Sequence, residues 1–317
     1  MGAVAVRAPF RVALGGGGTD LPSYYREHGG FVVSTAIDKY VHMTVSAQFQ
    51  SRYVLKHLEC EEVDEPSEVR HPILREALAL HWRGGPIELA SVGDAPPGTG
   101  LGSSGAYAVC SIKALSALSG RDLDPAELAE AACHLEIDVL GRSIGKQDQY
   151  AAAFGGVRAY TFNPDDSVEV RELELSERMR RAFRDEFLLL FTGRKRSASD
   201  ILGAGQLDEA LHRLKELASE TCRALESEDL ERMAGLMNEH WEAKRRRAPG
   251  TVTADMDALR DHALRAGAGG VISLGAGGGG FLLIYTPDPE RTRRALADDG
   301  VPELAFGLDA AGCTTVG

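Results

Sequence analysis

The sequence predicts an α+β protein, and three observations carry that expectation. Strands and helices are interspersed along the 317 residues without the regular strand–helix–strand beat of a parallel α/β fold. The 36 glycines are about half again the usual ~7% and gather in a few runs. No self-similarity recurs at the repeat lengths of about 20–50 residues that mark solenoids and propellers. A chain of this length is enough for one large domain or two closely packed lobes.

The elements follow in order. Val12–Leu14 runs into Gly15–Gly18 and Phe31–Val33 comes after, which reads as strands around a glycine turn. Val41, Met43 and Val45 alternate with polar neighbours, the period of a half-buried strand. Residues 61–70, with Glu61, Glu62, Asp64, Glu65 and Glu68, read as a solvated acidic loop. Ile87–Ser91 is a short strand leading into Pro96, Pro97 and a glycine loop. Residues 103–118 are small and apolar nearly all round, so that helix belongs inside the protein. The next helix is punctuated by Asp124 as N-cap, Pro125 in the first turn and Gly141 past the end, with Leu128, Ala132, Leu135 and Val139 as its apolar stripe. A strand pair is expected around 157–174 and a buried strand at Phe187–Phe191. Two amphipathic helices follow, one on Leu207, Leu211, Leu214 and Ala218, the other on Leu230, Met233, Met237 and Trp241. Gly270–Leu274, a glycine run and Phe281–Tyr285 make a strand–turn–strand unit.

Charge and cysteine usage exclude several function classes. The net charge of −12 argues against nucleic-acid binding, which depends on Lys and Arg neutralising phosphates. No stretch approaches the roughly 20 apolar residues of a membrane helix, and Met1–Val12 holds no signal-like apolar run. The five cysteines are scattered and never spaced C-x-x-C, which fits a reducing compartment and no zinc site. A cytoplasmic protein is expected.

The segment from Asp94 to Ala106 carries the first chemistry. Glycines at 98, 100 and 102 let backbone N–H groups turn inward, and the helix that follows adds partial positive charge, so phosphate is the natural guest. Ser103 and Ser104 at the helix start could bind phosphate or magnesium, or could simply cap the helix. Gly100, Gly102 and Gly105 satisfy G-x-G-x-x-G, yet no strand ending in an acid follows at the dinucleotide-fold distance. No Gly-Lys-Ser/Thr follows either, so this is not a Walker loop.

Three further segments accompany that loop: Arg7 to Asp20 with its glycine turn, Ile144 to Tyr150 followed by Phe154-Gly155-Gly156, and Leu274 to Phe281. In this order and spacing the four closely resemble the GHMP small-molecule kinases. Residues 16–22 (Gly-Gly-Gly-Thr-Asp-Leu-Pro), 37–40 (Ile-Asp-Lys-Tyr), 145–150 (Gly-Lys-Gln-Asp-Gln-Tyr) and 196–199 (Arg-Ser-Ala-Ser) resemble in particular the subgroup that phosphorylates heptose 7-phosphates at the anomeric oxygen. The resemblance implies a two-lobed α+β fold, lobes 1–165 and 166–317, with the active site in the cleft between them.

It also implies roles. Pro97, Gly98, Thr99, Gly100, Leu101, Gly102, Ser103 and Ser104 would hold the triphosphate of ATP, and Ser104 with Glu136 would ligate Mg2+. Asp148 matches the catalytic aspartate, and Arg11 the cleft arginine beside it. Asp20 matches a residue that grips sugar hydroxyls in galactokinases. Where those enzymes carry Glu-His before Thr-Asp, this chain has Gly17-Gly18 before Thr19-Asp20, which implies a larger or anionic substrate. Lys146 and Arg196 are the expected phosphate partners of such a substrate, with Arg194 and Lys195 nearby. Gly277 and Gly278 would shape the cleft by close backbone approach. Lys244–Arg247 reads as a basic helix end. The function the resemblance implies is a magnesium- and ATP-dependent sugar-1-kinase acting on D-glycero-D-manno-heptose 7-phosphate, feeding nucleotide-activated heptose synthesis. A kinase for a neutral sugar such as fucose, or for a modified heptose, is the alternative, and a silent sugar and nucleotide sensor is the alternative of another class. The faces of the late helices are compatible with a homodimer.

Overall fold

An 18-residue strand organises the larger sheet. In the computed structural model, which describes residues 2–49, 51–193, 208–247 and 250–316, β1 (Val4–Gly15) pairs antiparallel with β2 (Gly30–Ala47) along nearly its whole length. The register slips between Pro9 and Phe10, where proline has no N–H to give, and again between Ala13 and Gly15. The two apolar segments expected around residues 31–33 and 41–45 are therefore one strand. Its first part pairs with β6 (Val157–Phe162), its last part with β5 (Ile87–Gly93). Beyond β5 lie β3 (Tyr53–Lys56) and β4 (Cys60–Val63), beyond β6 lies β7 (Val168–Glu172), and β11 (Thr314–Val316) closes the far edge of β1. The β6–β7 pairing and the return of β11 mean that this sheet draws strands from both sides of residue 165.

The acidic stretch is only partly a solvated loop. β4 occupies its start, and Glu61 is 4% exposed because its carboxylate accepts from His57 Nε2 at 2.8 Å, the Arg70 N–H at 2.7 Å and the His71 N–H at 3.2 Å. That is how a buried carboxylate is tolerated.

Helices cover the sheet. α1 (Pro22–His28) and α2 (Pro72–His81) precede α3 (Ser103–Leu118), which is buried nearly all round as its composition predicts. α4 (Pro125–Cys133) starts on the expected cap, Asp124 accepting from the N–H groups of Ala126 and Glu127 while Glu127 reaches back to the Asp124 N–H. The helix does not continue in the same register to residue 140. At His134–Val139 it widens into a π turn, with the Leu140 N–H bonding to the carbonyl of Leu135. The widening rotates Val139 out to 40% exposure and leaves Glu136 fully buried. α5 (Gln147–Phe154) follows.

The smaller sheet has the order β8 (Phe187–Phe191), β10 (Phe281–Tyr285), β9 (Gly270–Ser273), all antiparallel. Around it lie α6 (Glu177–Asp185), α7 (Asp208–Glu226), α8 (Leu230–Arg247), α9 (Ala254–Arg265) and α10 (Pro289–Leu296). α8 buries Leu230, Met233, Met237 and Trp241 as the period predicts, and the buried face continues through Lys244 and Arg247. Among the described residues no helix is long and apolar enough to cross a membrane.

Candidate active site

A cleft of about 450 Å³ opens where β1, the loop before α3, the N-terminus of α5, α8 and the turn after β9 meet. Its floor is built by glycines. Gly98, Gly100 and Gly102 have φ of 74°, 85° and 73°, a left-handed region that other residues enter only with strain. These three line the cleft, while Leu101 and Thr99 between them point into the protein and Pro97 lies outside the lining. A Cβ on Gly275 would stand 2.6 Å from the Cα of Gly100, so the two glycine runs interlock with no room for a side chain. The Phe281 N–H reaches the carbonyl of Thr99 at 3.1 Å.

Neither serine caps α3. The N-cap is Gly102 and makes no side-chain cap, Ser103 Oγ accepts from the Gly98 N–H at 3.3 Å, and Ser104 Oγ donates to Glu136. The 16-residue helix thus starts without a side-chain cap, and its N-cap Gly102 and first residues Ser103 and Ser104 line the cleft, where an anion is favoured.

Arg11, 4% exposed, reaches across from β1. Its Nε and Nη2 converge on Asp148 Oδ1 at 2.7 and 2.6 Å, and its Nη1 donates to the Gly100 carbonyl at 2.6 Å. Both carboxylate contacts fall on Oδ1, so the arginine does not occupy Oδ2. Asp148 sits in the first turn of α5, and α5 approaches α3 so closely that a Cβ on Gly105 would stand 2.7 Å from the Cβ of Asp148. One guanidinium thus ties the glycine loop to an ionisable carboxylate at the cleft wall.

The Glu136 carboxylate, delivered by the π turn, accepts from Ser104 Oγ, from Arg142 Nη1 at 2.6 Å and from Gln149 Nε2 at 2.7 Å. Arg142 Nη1 also donates to Ser104 Oγ at 2.7 Å. Burial pushes the Glu136 carboxyl above its usual range, opposed by the Ser104, Arg142 and Gln149 contacts, while the charge of Asp148 adds to the rise. A hydroxyl and a carboxylate oxygen meet here at one point beside the helix N-terminus. Among the described residues no cluster of three or more His, Cys, Asp or Glu could form a closed metal cage. A hydroxyl and a carboxylate oxygen are hard donors of the kind magnesium takes alongside phosphate oxygens and waters, so these residues fit it.

At the other end Asp20, 2% exposed, accepts from the Gly18 N–H at 2.9 Å, from the Gln147 N–H at 3.1 Å and from Gln147 Nε2 at 3.2 Å. Burial raises its carboxyl above the usual range, and Asp148 contributes in the same direction. A Cβ on Gly145 would stand 1.8 Å from Asp20 Oδ2, so the glycine is required by the aspartate. Gln147 Oε1 is buried with no partner among the described residues. Two cations that a solvated helix end does not predict close this side. Lys244 Nζ donates to the carbonyls of Ser273 at 2.7 Å and Gly275 at 2.6 Å, and burial with Arg247 and Arg11 nearby lowers its pKa to about 7. Burial also lowers Arg247, to about 10, against the pull of Asp20. The Arg247 guanidinium carbon lies 2.7 Å from where a Cβ on Gly18 would be.

The structure therefore brings together Arg11, Gly17, Gly18, Asp20, Gly98, Gly100, Gly102, Ser103, Ser104, Asp148 and Gly277, with Glu136 directly behind Ser104. Lys146 is a correction. Its ammonium turns away to Glu130, at 3.1 and 3.3 Å, and to the Asp166 carbonyl at 2.9 Å, and it does not line the cleft. Thr19 is fully buried, its hydroxyl held by the carbonyls of Gly16 and Phe31, so it shapes the turn. Gly278 gives its N–H to the Thr251 carbonyl and lies outside the lining. Arg196, Arg194 and Lys195 lie outside the described residues. Arg142, Gln147, Gln149, Lys244 and Arg247 were not assigned from sequence. Continuation of the α8 period past Trp241 was the available signal for Lys244 and Arg247; Arg142, beyond Gly141, had none.

Comparison with known proteins bears on this arrangement. Residues 71–156 match the GHMP kinases N terminal domain and residues 221–301 the GHMP kinases C terminal domain, together just over half of the chain. The chain belongs to the GHMP kinases. Members of this family are phosphotransferases that use ATP as donor to a sugar or alcohol group, and this chain is one of them. The D-glycero-alpha-D-manno-heptose 7-phosphate kinase of Campylobacter jejuni subsp. jejuni is 27% identical, over 92% of this chain and 91% of its own. The bifunctional fucokinase/GDP-fucose pyrophosphorylase of Arabidopsis thaliana is 25% identical over 91% of this chain, which spans 30% of that protein. Among solved structures, a D-glycero-D-manno-heptose 1-phosphate kinase from Bacteriodes thetaiotaomicron superposes with a TM-score of 0.82 at 26% identity, over 99% of both chains. The α+β GHMP kinase fold expected from the sequence is thereby confirmed.

Proposed function

We propose that this GHMP kinase transfers the γ-phosphoryl group of ATP to the anomeric C1 hydroxyl of D-glycero-D-manno-heptose 7-phosphate, giving heptose 1,7-bisphosphate for nucleotide-activated heptose synthesis. The observation that carries the reading is the clamp of Arg11 on Asp148 beside the glycine loop, with Asp20 and Arg247 closing the opposite end of the same cleft. The printed activity of the Campylobacter relative supports the choice of sugar.

Phosphoryl transfer needs the phosphates held, their charge neutralised and the acceptor aligned. The N–H groups of the glycine loop and of the α3 N-terminus would hold the triphosphate. Ser104 and Glu136 would hold Mg2+, which supplies charge neutralisation between the phosphates. Asp148 Oδ2, free of the arginine, would accept the proton of the C1 hydroxyl. Arg11 orients that carboxylate through Oδ1 and would set positive charge beside the transferring group. Asp20 and Gln147 Oε1 would accept from sugar hydroxyls. With Lys146 turned away, Arg247 and Lys244 are the cations that would meet the substrate's own phosphate.

A coupled ADP-release assay with Mg-ATP tests this against heptose 7-phosphate, free heptose, fucose, galactose, mannose and mevalonate, with product analysis to locate the new phosphate. Turnover confined to heptose 7-phosphate at C1 is the expected result. Turnover with a neutral sugar keeps the kinase and removes the phosphate role of Arg247 and Lys244. ATP binding without turnover on any substrate moves the reading toward a sensor.

A further inference from the structure

Among the described residues, the cleft contains one cation that the transfer chemistry above does not use. Arg142 follows the π turn, and its backbone is fixed there: its N–H bonds to the Glu136 carbonyl at 3.1 Å, and Gly141 before it turns the chain at φ 63°. Its side chain is 30% exposed and lines the cleft. From that position a single nitrogen, Nη1, donates both to Ser104 Oγ and to Glu136 Oε1. Those are the two oxygens that fit magnesium. The guanidinium therefore stands where the charge of a metal ion would be needed, and does for the buried Glu136 carboxylate what the ion would do.

Resting on the reading of the protein as a magnesium-dependent kinase, we propose that Arg142 is a resident counter-ion that keeps the free metal out. The divalent ion then enters only with the nucleotide, whose phosphates take over the guanidinium. The physical argument has two halves. A divalent ion approaching Ser104 and Glu136 without phosphates must displace an arginine from a fully buried carboxylate, and must do so against the repulsion of a like charge a hydrogen-bond length away. A triphosphate removes both obstacles. It offers the planar fork of Arg142 a better, bidentate acceptor, and it supplies the remaining hard oxygens the metal requires. Because the backbone at 142 is anchored, the exchange needs only a side-chain rotation toward the cleft. Arg142 is in this sense a positioning residue, holding Ser104 and Glu136 in place before the reactants arrive.

The test is a titration of the intact protein with Mn2+, followed by the water-proton relaxation enhancement that protein-bound Mn2+ gives, with and without a non-hydrolysable ATP analogue, against Mn2+ and analogue without protein. In the wild type, Mn2+ alone should bind no better than it does to Glu136→Gln, while Mn2+ with the analogue binds. Arg142→Gln should bind Mn2+ alone about tenfold tighter or more than the wild type, and adding Glu136→Gln to that variant should abolish the gain. A metal-free titration supplies a second readout: the analogue should bind Arg142→Gln more weakly than the wild type. Should Arg142→Gln fail to fold, Arg142→Met carries the same titration. Equal Mn2+ affinity in the wild type and a folded Arg142 variant overturns the proposal. So does wild-type protein that binds Mn2+ alone clearly more tightly than Glu136→Gln. Failure of the wild type to bind Mn2+ even with the analogue strikes instead at the metal-dependent reading on which the proposal rests.

Discussion

The guanidinium of Arg247, near the end of α8, occupies the space that a side chain at position 18, in the turn after β1, would need. Gly18 also has φ 100°, so position 18 is closed to other residues twice over. Gly18→Ala should displace Arg247 from the sugar end of the cleft and cost about 1–3 kcal/mol of backbone strain. The expected outcome in steady-state kinetics is a sugar-phosphate KM raised about tenfold or more with the ATP KM little changed. Parallel rises in both would place Arg247 outside the sugar end.

Asp148 is held by Arg11 through one oxygen only. Asp148→Asn keeps the shape and loses the proton acceptor, so turnover should fall by about 10²–10⁴. Calorimetry should still detect nucleotide binding, because asparagine keeps an Oδ1 acceptor for the Arg11 that holds the glycine loop. Near-normal turnover by the folded variant would remove Asp148 from the reaction.

Lys244 carries a pH prediction. Burial lowers its pKa to about 7, from 10.5 for an exposed lysine. Between those values the unfolded chain holds a proton that the folded protein has released, so Lys244 makes stability rise with pH from about 7 toward 10.5, and the gain is absent below 7. An anionic ligand favours the ammonium form. Binding of the sugar phosphate above pH 7 should therefore take up a proton and weaken as the pH rises. Calorimetry at pH 8 in buffers of different ionisation enthalpy would show the uptake, and Lys244→Met should lack it. Buffer-independent heats in the wild type would separate Lys244 from the anion.

Lys146 should behave as a structural residue. Its ammonium joins Glu130 and the Asp166 carbonyl and is 9% exposed, whereas Glu130 is half-exposed and can be rehydrated. Lys146→Ala should lower stability by about 1–3 kcal/mol in chemical denaturation. The ratio of the two KM values should stay as in the wild type. A selective rise in the sugar-phosphate KM would return Lys146 to the cleft.

Much of the fold was legible because periodicity and punctuation are local signals. α3 announced its burial by being apolar all round, and α4 its start by Asp124, Pro125 and Glu127. What failed was non-local. The turn to π geometry after Cys133 has no pattern of its own, so Val139 was placed on the buried stripe that Glu136 shares instead. Glu61 was assigned to solvent with its acidic neighbours, though His57, Arg70 and His71 converge on it. The same limit shaped the reading of the site. Arg11, Asp148 and Ser104 sit in motifs, Glu136 was placed only by family resemblance, and the chain brings the four together. Lys146 lies inside a motif too, but from the N-cap of α5 its side chain runs the other way, to Glu130 and the Asp166 carbonyl. Lys244 and Arg247 carry charge on a face that period alone would have placed inward, and charge was the misleading cue.

The contact between Gly275 and Gly100 has a consequence for how the molecule comes into being. The loop that would cradle the nucleotide is synthesised in the first third of the chain, but the segment that braces it emerges only toward the end. Contacts so distant in sequence form late, because the entropy of closing the intervening chain is lost before the contact rewards it. A nucleotide that binds only the assembled loop would therefore stabilise the finished molecule rather than guide its early folding. Adding nucleotide to refolding protein should speed none of the early steps and rescue only molecules whose second sheet has already assembled.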